Sequence, residues 1–336
     1  MNPTASPAPT GGLIGLDWGT SSLRAFRMDA TGEVLDTQRR PWGVMNLPPA
    51  ADGQPDAARA TAFERALEDA CGPWLLAEPS LPVLACGMVG SAQGWREAAY
   101  LDAPASLDDL ARGLTTVEYG KGTPVHIVPG LIQRGALPNV MRGEETQVLG
   151  VLAGRPMAAD TTVLIGLPGT HSKWATAQPR GILHFHTFMT GEVFAALRAH
   201  TILGKTMQDA ATPDDAAFAR GLAVARSAEG DLGLLSNIFS TRTLGLTGAL
   251  SATAQVDHLS GLLIGHEVAS LARQHGSGAR VVLCGEPDLC RRYALALAVY
   301  GFGTPEIAPQ ATARGLWQIA VAAGLVAATP SPRSLL

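Results

Sequence analysis

Leu13–Asp29 of this chain reads LIGLDWGTSSLRAFRMD. Leu13, Ile14 and Leu16 make a short apolar run that stops at Asp17. Trp18–Ser22 is turn-like, and Leu23, Ala25 and Phe26 resume the apolar pattern before Asp29–Gly32 turns again. Runs of this length, bounded by glycine and small polar residues, predict strands joined by a tight turn. The hairpin tip then carries a carboxylate beside backbone N–H groups and hydroxyls. Turn amides can form an anion-binding nest, and an aspartate there can hold Mg²⁺ directly or through water, so the tip suits a polyphosphate.

A second stretch repeats the signal. Val163–Ala175 reads VLIGLPGTHSKWA against LIGLDWGTSSLRA at 13–25. Both run from an apolar strand through Ile-Gly-Leu and Gly-Thr to two polar residues, a basic residue and a further apolar segment. One such unit in each half predicts two related domains. Two glycine turns facing each other across a cleft would clamp a nucleotide; two unrelated hairpins are the alternative.

The bulk composition narrows the class. The 336 residues are enough for two domains that each bury a core. A hydrophobic content of 46% with 16% charged residues is that of a globular chain. The net charge of −4 gives no electrostatic footprint for nucleic acid or an anionic membrane. Cys71, Cys86, Cys284 and Cys290 lack CxxC spacing and read as reduced residues of a cytoplasmic protein. MNPTASPAPTGG has neither a charged nor an apolar signal-peptide region, so residues 1–12 are expected to form a disordered tail. No apolar run reaches the roughly 18 residues of a membrane span, and a soluble protein is expected.

Along the chain, strands are predicted near 32–40, 82–86, 125–128, 182–188 and 280–284. Helices are predicted over 57–77, 106–112, from about Arg142 to Ala153, and over 191–200, 214–228, 259–274, 288–299 and 315–326. The glycine-rich Gly87–Trp95 follows the end of a strand, where open α/β sheets place ligands. A domain boundary is expected near Pro138, giving an N-terminal domain over 13–138 and a C-terminal domain over 139–330.

Several motifs carry candidate chemistry, each with a plainer alternative. Asp17 either caps its turn or acts as a functional carboxylate, and the Gly19-Thr20-Ser21 that follows favours function. Arg24 is a phosphate or substrate contact or an exposed strand residue. Gly169-Thr170-His171-Ser172-Lys173 supplies amides, hydroxyls and a cation; Lys173 could neutralise charge on a transferring phosphoryl group, while His171 has the look of a solvated turn residue. In Arg142-Gly143-Glu144-Glu145, either glutamate can complement a helix dipole, the stronger reading for Glu145. Glu144 can take the proton of an attacking hydroxyl. Arg142 can pair with a substrate carboxylate or with another domain. Leu203–Thr206 resembles the end of a P-loop but has Ala199 where the first glycine belongs. His184 and His186 lack a third ligand, and His266-Glu267 lacks the second histidine of HExxH. Leu283-Cys284-Gly285-Glu286-Pro287 is either an ordinary strand–helix turn or a shelf for a flat adenine.

Together these segments resemble the sugar kinases of the acetate kinase/Hsp70/actin superfamily. Asp17–Ser22 looks like the first phosphate motif, Leu167–His171 like the second, and Leu283–Glu286 like the adenosine motif without its further glycines. Gly143-Glu144-Glu145 takes the place of the Gly-Asp-Gln segment whose aspartate is the catalytic base, with a side chain one methylene longer. Cys86–Ser91, Pro129-Gly130-Leu131, Asn139–Gln147, Pro168–His171, Met189–Glu192 and Ser260–Gly265 are more closely similar to the 2-dehydro-3-deoxygalactonokinase family, over about residues 13–325.

That resemblance implies two ribonuclease-H-like domains with mixed five-stranded sheets flanked by helices and a nucleotide cleft between them. It implies ATP and Mg²⁺ as cofactors and phosphorylation of the 6-hydroxyl of 2-dehydro-3-deoxy-D-galactonate in galactonate catabolism. Asp17 would hold the metal and Glu144 would be the base. Gly19, Thr20, Ser21, Gly169, Thr170, His171, Lys173, Gly285 and Glu286 would bind ATP, and Gly90, Ser91, Arg142 and Arg24 the sugar acid. A kinase of another sugar acid or ketose, a nucleotide-dependent switch, and a sugar-independent ATPase or phosphohydrolase are the alternatives. The partners expected are ATP and a small sugar acid, with no nucleic acid and no membrane; the oligomeric state is open, a homodimer being one state allowed.

Overall fold

The structure, a computed structural model, describes residues 11–49, 55–120 and 122–327. Apart from Gly11 and Gly12, the expected N-terminal tail lies outside the described residues. In chain order the first half carries β1 (Leu13–Trp18), β2 (Leu23–Met28), β3 (Val34–Arg40), α1 (Pro55–Ala77), β4 (Val83–Gly87), β5 (Tyr100–Asp102), α2 (Leu107–Arg112), β6 (Thr115–Tyr119), β7 (Thr123–Ile127), β8 (Gly130–Gln133), β9 (Asn139–Met141) and α3 (Glu144–Ala153). The second half carries β10 (Val163–Leu167), β11 (Ser172–Gln178), β12 (Gly181–Phe188), α4 (Thr190–His200), α5 (Asp215–Arg226), α6 (Leu234–Asn237), α7 (Phe239–Leu246), α8 (Ala254–His275), β13 (Val281–Leu283), α9 (Pro287–Val299), β14 (Glu306–Ile307) and α10 (Ala311–Ala322). This is an α/β protein with mixed sheets.

The chain divides into two compact units, one of residues 1–161, 177–184 and 310–336 and the other of 162–176 and 185–309. The sheet of the first unit has six strands in the order β3-β2-β1-β4-β7-β6, where five were expected. β1 is antiparallel to β2 and parallel to β4, which places Asp17 opposite both Arg24 and Cys86. The sixth strand is β6, antiparallel to β7 in a hairpin that closes the edge. A separate three-stranded sheet, β5-β8-β9, was not foreseen. Its strands are three to four residues long, too short to show a period of two.

The core of the first unit forms between α1 and the sheet, where Trp18, Phe63 and Trp95 meet. Phe63 packs edge-on against Trp18 at 5.4 Å and stacks on Trp95 at 5.8 Å. A boundary at Pro138 is not where the chain divides, because α3 stays with the first unit. It lies directly on α10: a Cβ added at Gly150 would come within 1.8 Å of the Ala311 carbonyl, and one at Gly315 within 1.9 Å of that of Thr146. Only glycine allows two helix backbones to approach so closely, and the pair locks α3 to the far end of the chain. Residues 177–184 join the same unit through the bridge between Ala105 and Ile182, whose N–H and carbonyl groups exchange bonds of 3.0 and 2.9 Å.

The second sheet runs β12-β11-β10-β13-β14, with β10 parallel to β13 and β13 parallel to β14. Its first four strands, taken by their place in the chain, follow the order of β3-β2-β1-β4 in the first unit, the structural counterpart of the repeat seen in the sequence. The core there gathers Trp174, Phe218, Leu222, Val268, Leu271, Tyr293 and Leu297 from β11, α5, α8 and α9. Two short helices, α6 and α7, were not anticipated. α8 begins at Ala254 and α10 at Ala311, each about one turn earlier than the apolar pattern suggested. No described helix is long and apolar enough to cross a membrane.

Candidate active site

In the first unit three backbone ends converge. β1 delivers Asp17, followed by the turn Trp18–Ser22, in which the Gly19 N–H donates to the Ser22 carbonyl at 3.0 Å. The loop at Gly43–Met45 braces the turn: Val44 and Met45 donate to the Gly19 and Thr20 carbonyls at 3.0 and 3.1 Å. Thr20 and Ser21 are exposed, so their hydroxyls and the turn are displayed outward. Arg24 does not point away on its own. Its Nη2 donates to Asp17 Oδ2 at 2.6 Å and to the Thr312 hydroxyl at 3.5 Å, and Thr312, on α10, also accepts from the Gln147 side chain at 3.3 Å. The expected substrate contact is thus the ion-pair partner of the aspartate.

β4 ends at Gly87, with φ +94°, and runs into a single 3₁₀ turn at Met88–Gly90. Trp95 N–H donates to the Val89 carbonyl and Ala98 N–H to that of Gly90, at 2.9 and 3.0 Å, closing the loop on itself. Against Gly87 lies Gly143, with φ +106°, where a Cβ would fall 3.0 Å from the Gly87 Cα. Two left-handed positions in contact leave glycine as the residue that fits at both.

Gly143 turns the chain into α3, and both glutamates that follow bond back to it. Glu144, half-buried, accepts the Arg142 N–H at 3.0 Å, and Glu145 accepts that of Gly143 at 2.7 Å and the Thr146 hydroxyl at 3.0 Å. The helix N-terminus accounts for both placements, as read for Glu145. Its complete burial is new, and lies close enough to Asp17 for both charges to act on the buried Cys86 thiol, which burial pushes far up. Burial, then the charge of Glu144, raises the Glu145 carboxyl from 4.5 to about 7. Because the folded value is the higher, the stability this group contributes is whole below about pH 4.5 and is lost as pH rises through 7. The difference corresponds to about 3 kcal/mol. Glu145→Gln should remove this dependence, so its stability relative to the parent should improve by roughly that amount from pH 4.5 to 8 in urea titrations. Parallel pH profiles for the two proteins would show that Glu145 does not titrate there.

Arg142 is buried at 8% exposure, with its guanidinium 4.3 Å from the Tyr100 ring centroid and Nη2 donating to the Ala98 carbonyl at 2.8 Å. Ser91 is equally buried, and Gly90 lies against Arg142 Nη1. Gly90, Ser91 and Arg142 therefore lie together, while Arg24 is held at Asp17.

In the second unit the turn after β10 is held by α4. Glu192 N–H donates to the Thr170 carbonyl at 3.0 Å, the Glu192 carboxylate meets the His171 ring, and Gly191 lies against the Gly169 carbonyl. Thr170 and His171 are exposed. β11 is buried on both faces, and Lys173 on it is only 6% exposed, with its ammonium donating to the Thr187 hydroxyl at 2.9 Å. Gly285 and Glu286 form an exposed turn before α9, and a Cβ at Gly285 would sit 3.3 Å from the Pro168 carbonyl, so the two turns are neighbours.

Beside them opens a cavity of about 450 Å³, within the range of small-ligand pockets, with Gly169, Thr170, Asp257, Ser260, Leu289 and Arg292 in its wall. Under it runs a network the sequence did not reveal. Glu267, buried, accepts from Trp174 Nε1 at 2.6 Å, Tyr293 Oη at 2.7 Å and the Thr190 hydroxyl, and Ser172 Oγ bonds Tyr293 Oη at 2.9 Å. Burial raises the Glu267 carboxyl and pushes the Tyr293 hydroxyl well up. A pattern search discards Glu267 with the failed HExxH match; only the tertiary structure brings its partners together.

An aspartate at a hairpin tip, a second glycine turn beside a ligand-sized cavity, and a glutamate at a helix N-terminus stand in a chain that its relatives define as a carbohydrate kinase. The profile of the 2-keto-3-deoxy-galactonokinase family matches residues 17–319. The chain belongs to that family. A Rhizobium meliloti protein named as a probable 2-dehydro-3-deoxygalactonokinase is 36% identical over 90% of this chain and 94% of its own. The 2-dehydro-3-deoxygalactonokinase of Escherichia coli is 33% identical over 89% and 94%. A crystal structure described as a candidate 2-dehydro-3-deoxygalactonokinase from Sinorhizobium meliloti superposes with a TM-score of 0.78 at 34% identity, over 92% of this chain and 98% of that one.

Proposed function

We propose that this kinase transfers the γ-phosphoryl group of ATP to the 6-hydroxyl of 2-dehydro-3-deoxy-D-galactonate. The observation that carries the reading is family membership over residues 17–319, with Asp17, Gly90, Ser91, Arg142 and Glu144 all placed in one unit. The names of the relatives support the substrate. The repeated strand order supports reading each unit as ribonuclease-H-like.

Asp17 would hold Mg²⁺. Among the described residues no group of three or more histidine, cysteine or carboxylate side chains could cage an ion. That fits Mg²⁺ carried with a nucleotide, which needs one or two protein carboxylates and takes its other ligands from phosphates and water. The ion supplies neutralisation of the phosphate charge. In the first unit Gly19, Thr20 and Ser21 offer amides and hydroxyls to phosphate oxygens. In the second unit Gly169 and Thr170 offer the same, with His171, Lys173, Gly285 and Glu286 near by, and the cavity lined by Gly169, Thr170 and Leu289 takes the adenosine. Glu144 accepts the proton of the sugar hydroxyl as its oxygen attacks.

The test is ADP release in a coupled assay with Mg·ATP and, separately, 2-dehydro-3-deoxygalactonate, its gluconate epimer and neutral ketoses. Turnover with the galactonate form in clear preference is expected. Preference for a neutral ketose would discard the substrate, and ADP release indifferent to any acceptor would discard the transfer reaction.

A further inference from the structure

A guanidinium withdrawn from water is stable only with acceptors around it. Arg292 meets that need with the Asp257 carboxylate. Arg142 does not: Ala98 takes one bond from Nη2, while Nε and Nη1, both buried, have no hydrogen-bond partner. The hydroxyl of Ser91, 92% buried like Arg142, is also without one. The two lie together, since a Cβ at Gly90, the residue before Ser91, would fall 3.0 Å from Arg142 Nη1. The Tyr100 ring at 4.3 Å fixes the plane of the guanidinium.

We propose that Arg142 and Ser91 are the anchor for the carboxylate of the acceptor, and that this anchor makes the site selective for sugar acids over neutral sugars. The proposal deepens the functional reading above and rests on it. The unmet donors are three N–H bonds on Nε and Nη1 and one hydroxyl. A carboxylate brings a full negative charge and two oxygens with about four lone-pair sites, which matches a cationic donor cluster. A sugar hydroxyl brings no charge and would leave the arginine uncompensated. Glu144, two residues on, turns its carboxylate back on the Arg142 backbone N–H.

The experiment compares kcat/KM for 2-dehydro-3-deoxygalactonate with that for its C1 amide, in the parent, Arg142→Met, Arg142→Lys and Ser91→Ala proteins, with the KM for ATP measured alongside. The acid-to-amide ratio should fall roughly 10- to 100-fold in Arg142→Met, the range for loss of a hydrogen-bonded charge, and by several-fold in Ser91→Ala, while the KM for ATP holds. Arg142→Lys, which keeps the charge and loses donors, should fall between. A ratio unchanged in all three variants overturns the proposal even if kcat drops, since a merely structural arginine would lower both substrates alike. Should Arg142→Met not fold, the lysine and Ser91 variants decide the matter by the same ratio. A parent enzyme that transfers no phosphoryl group to the acid would instead overturn the functional reading, and this proposal with it.

Discussion

Replacing Glu144 with glutamine should lower kcat by about 10²- to 10⁴-fold, the usual contribution of a positioned general base. The substitution keeps the side chain's length and its carbonyl oxygen, so the bond accepted from the Arg142 N–H at 3.0 Å can persist and the turn at Gly143 keep its shape. What goes is the ability to take a proton. The KM for ATP and the thermal midpoint should therefore move little, since Glu144 is half-buried at a helix start and its dipole interaction is worth under about 1 kcal/mol. Turnover within a few-fold of the parent would remove the base assignment. The buried Glu145 next to it would not replace Glu144 by default, because a fully buried carboxyl cannot reach a substrate hydroxyl without movement of the helix end.

Asp17→Asn separates metal binding from structure. The Asp17–Arg24 pair, at 2.6 Å with about a quarter to a third of each side chain exposed, belongs to a class of ion pairs worth at most about 1 kcal/mol. Asparagine still offers Arg24 an oxygen. Loss of the carboxylate should thus leave the folded state almost as stable as before. Activity should drop by several kcal/mol of transition-state stabilisation, on the order of 10³-fold, and the Mg²⁺ concentration needed for half-maximal rate should rise. Urea titration and a Mg²⁺ dependence read these two outcomes independently. A variant that loses stability and activity together, with an unchanged Mg²⁺ requirement, would make Asp17 a structural residue.

The hairpin at 13–29 and its repeat were legible because strand, glycine turn and strand are local patterns, and both hairpins stand where the sequence put them. The helix of Glu144–Ala153 was legible too, but its allegiance was not. That depends on Gly150 meeting Gly315, positions 165 residues apart with no shared local pattern. The same limit hid Thr312, which reaches Arg24 from the opposite end of the chain, and the Glu267 network, whose members lie on β11, α4, α8 and α9. The burial of Lys173 was hidden for a related reason: its type marked it as a cation for a phosphoryl group, whereas only the packing of both faces of β11 shows how little of it is exposed. Composition marks a residue's chemistry, and register decides where that chemistry points.

The joining of α3 to α10 also sets an order of events during synthesis. Domains usually fold as units as they leave the ribosome. Here the first unit is completed by residues 310–336, so a nascent chain of some 300 residues has made the hairpin bearing Asp17 and the helix bearing Glu144 but not the helix that backs both. Until Thr312 and Leu316 emerge, the Arg24 side chain lacks one acceptor and Gly15 on β1 lacks its cover. The second unit, by contrast, has all its segments by residue 309. The second unit is thus able to finish before the first, and the segments bearing Asp17 and Glu144 gain their full support only once α10 has emerged.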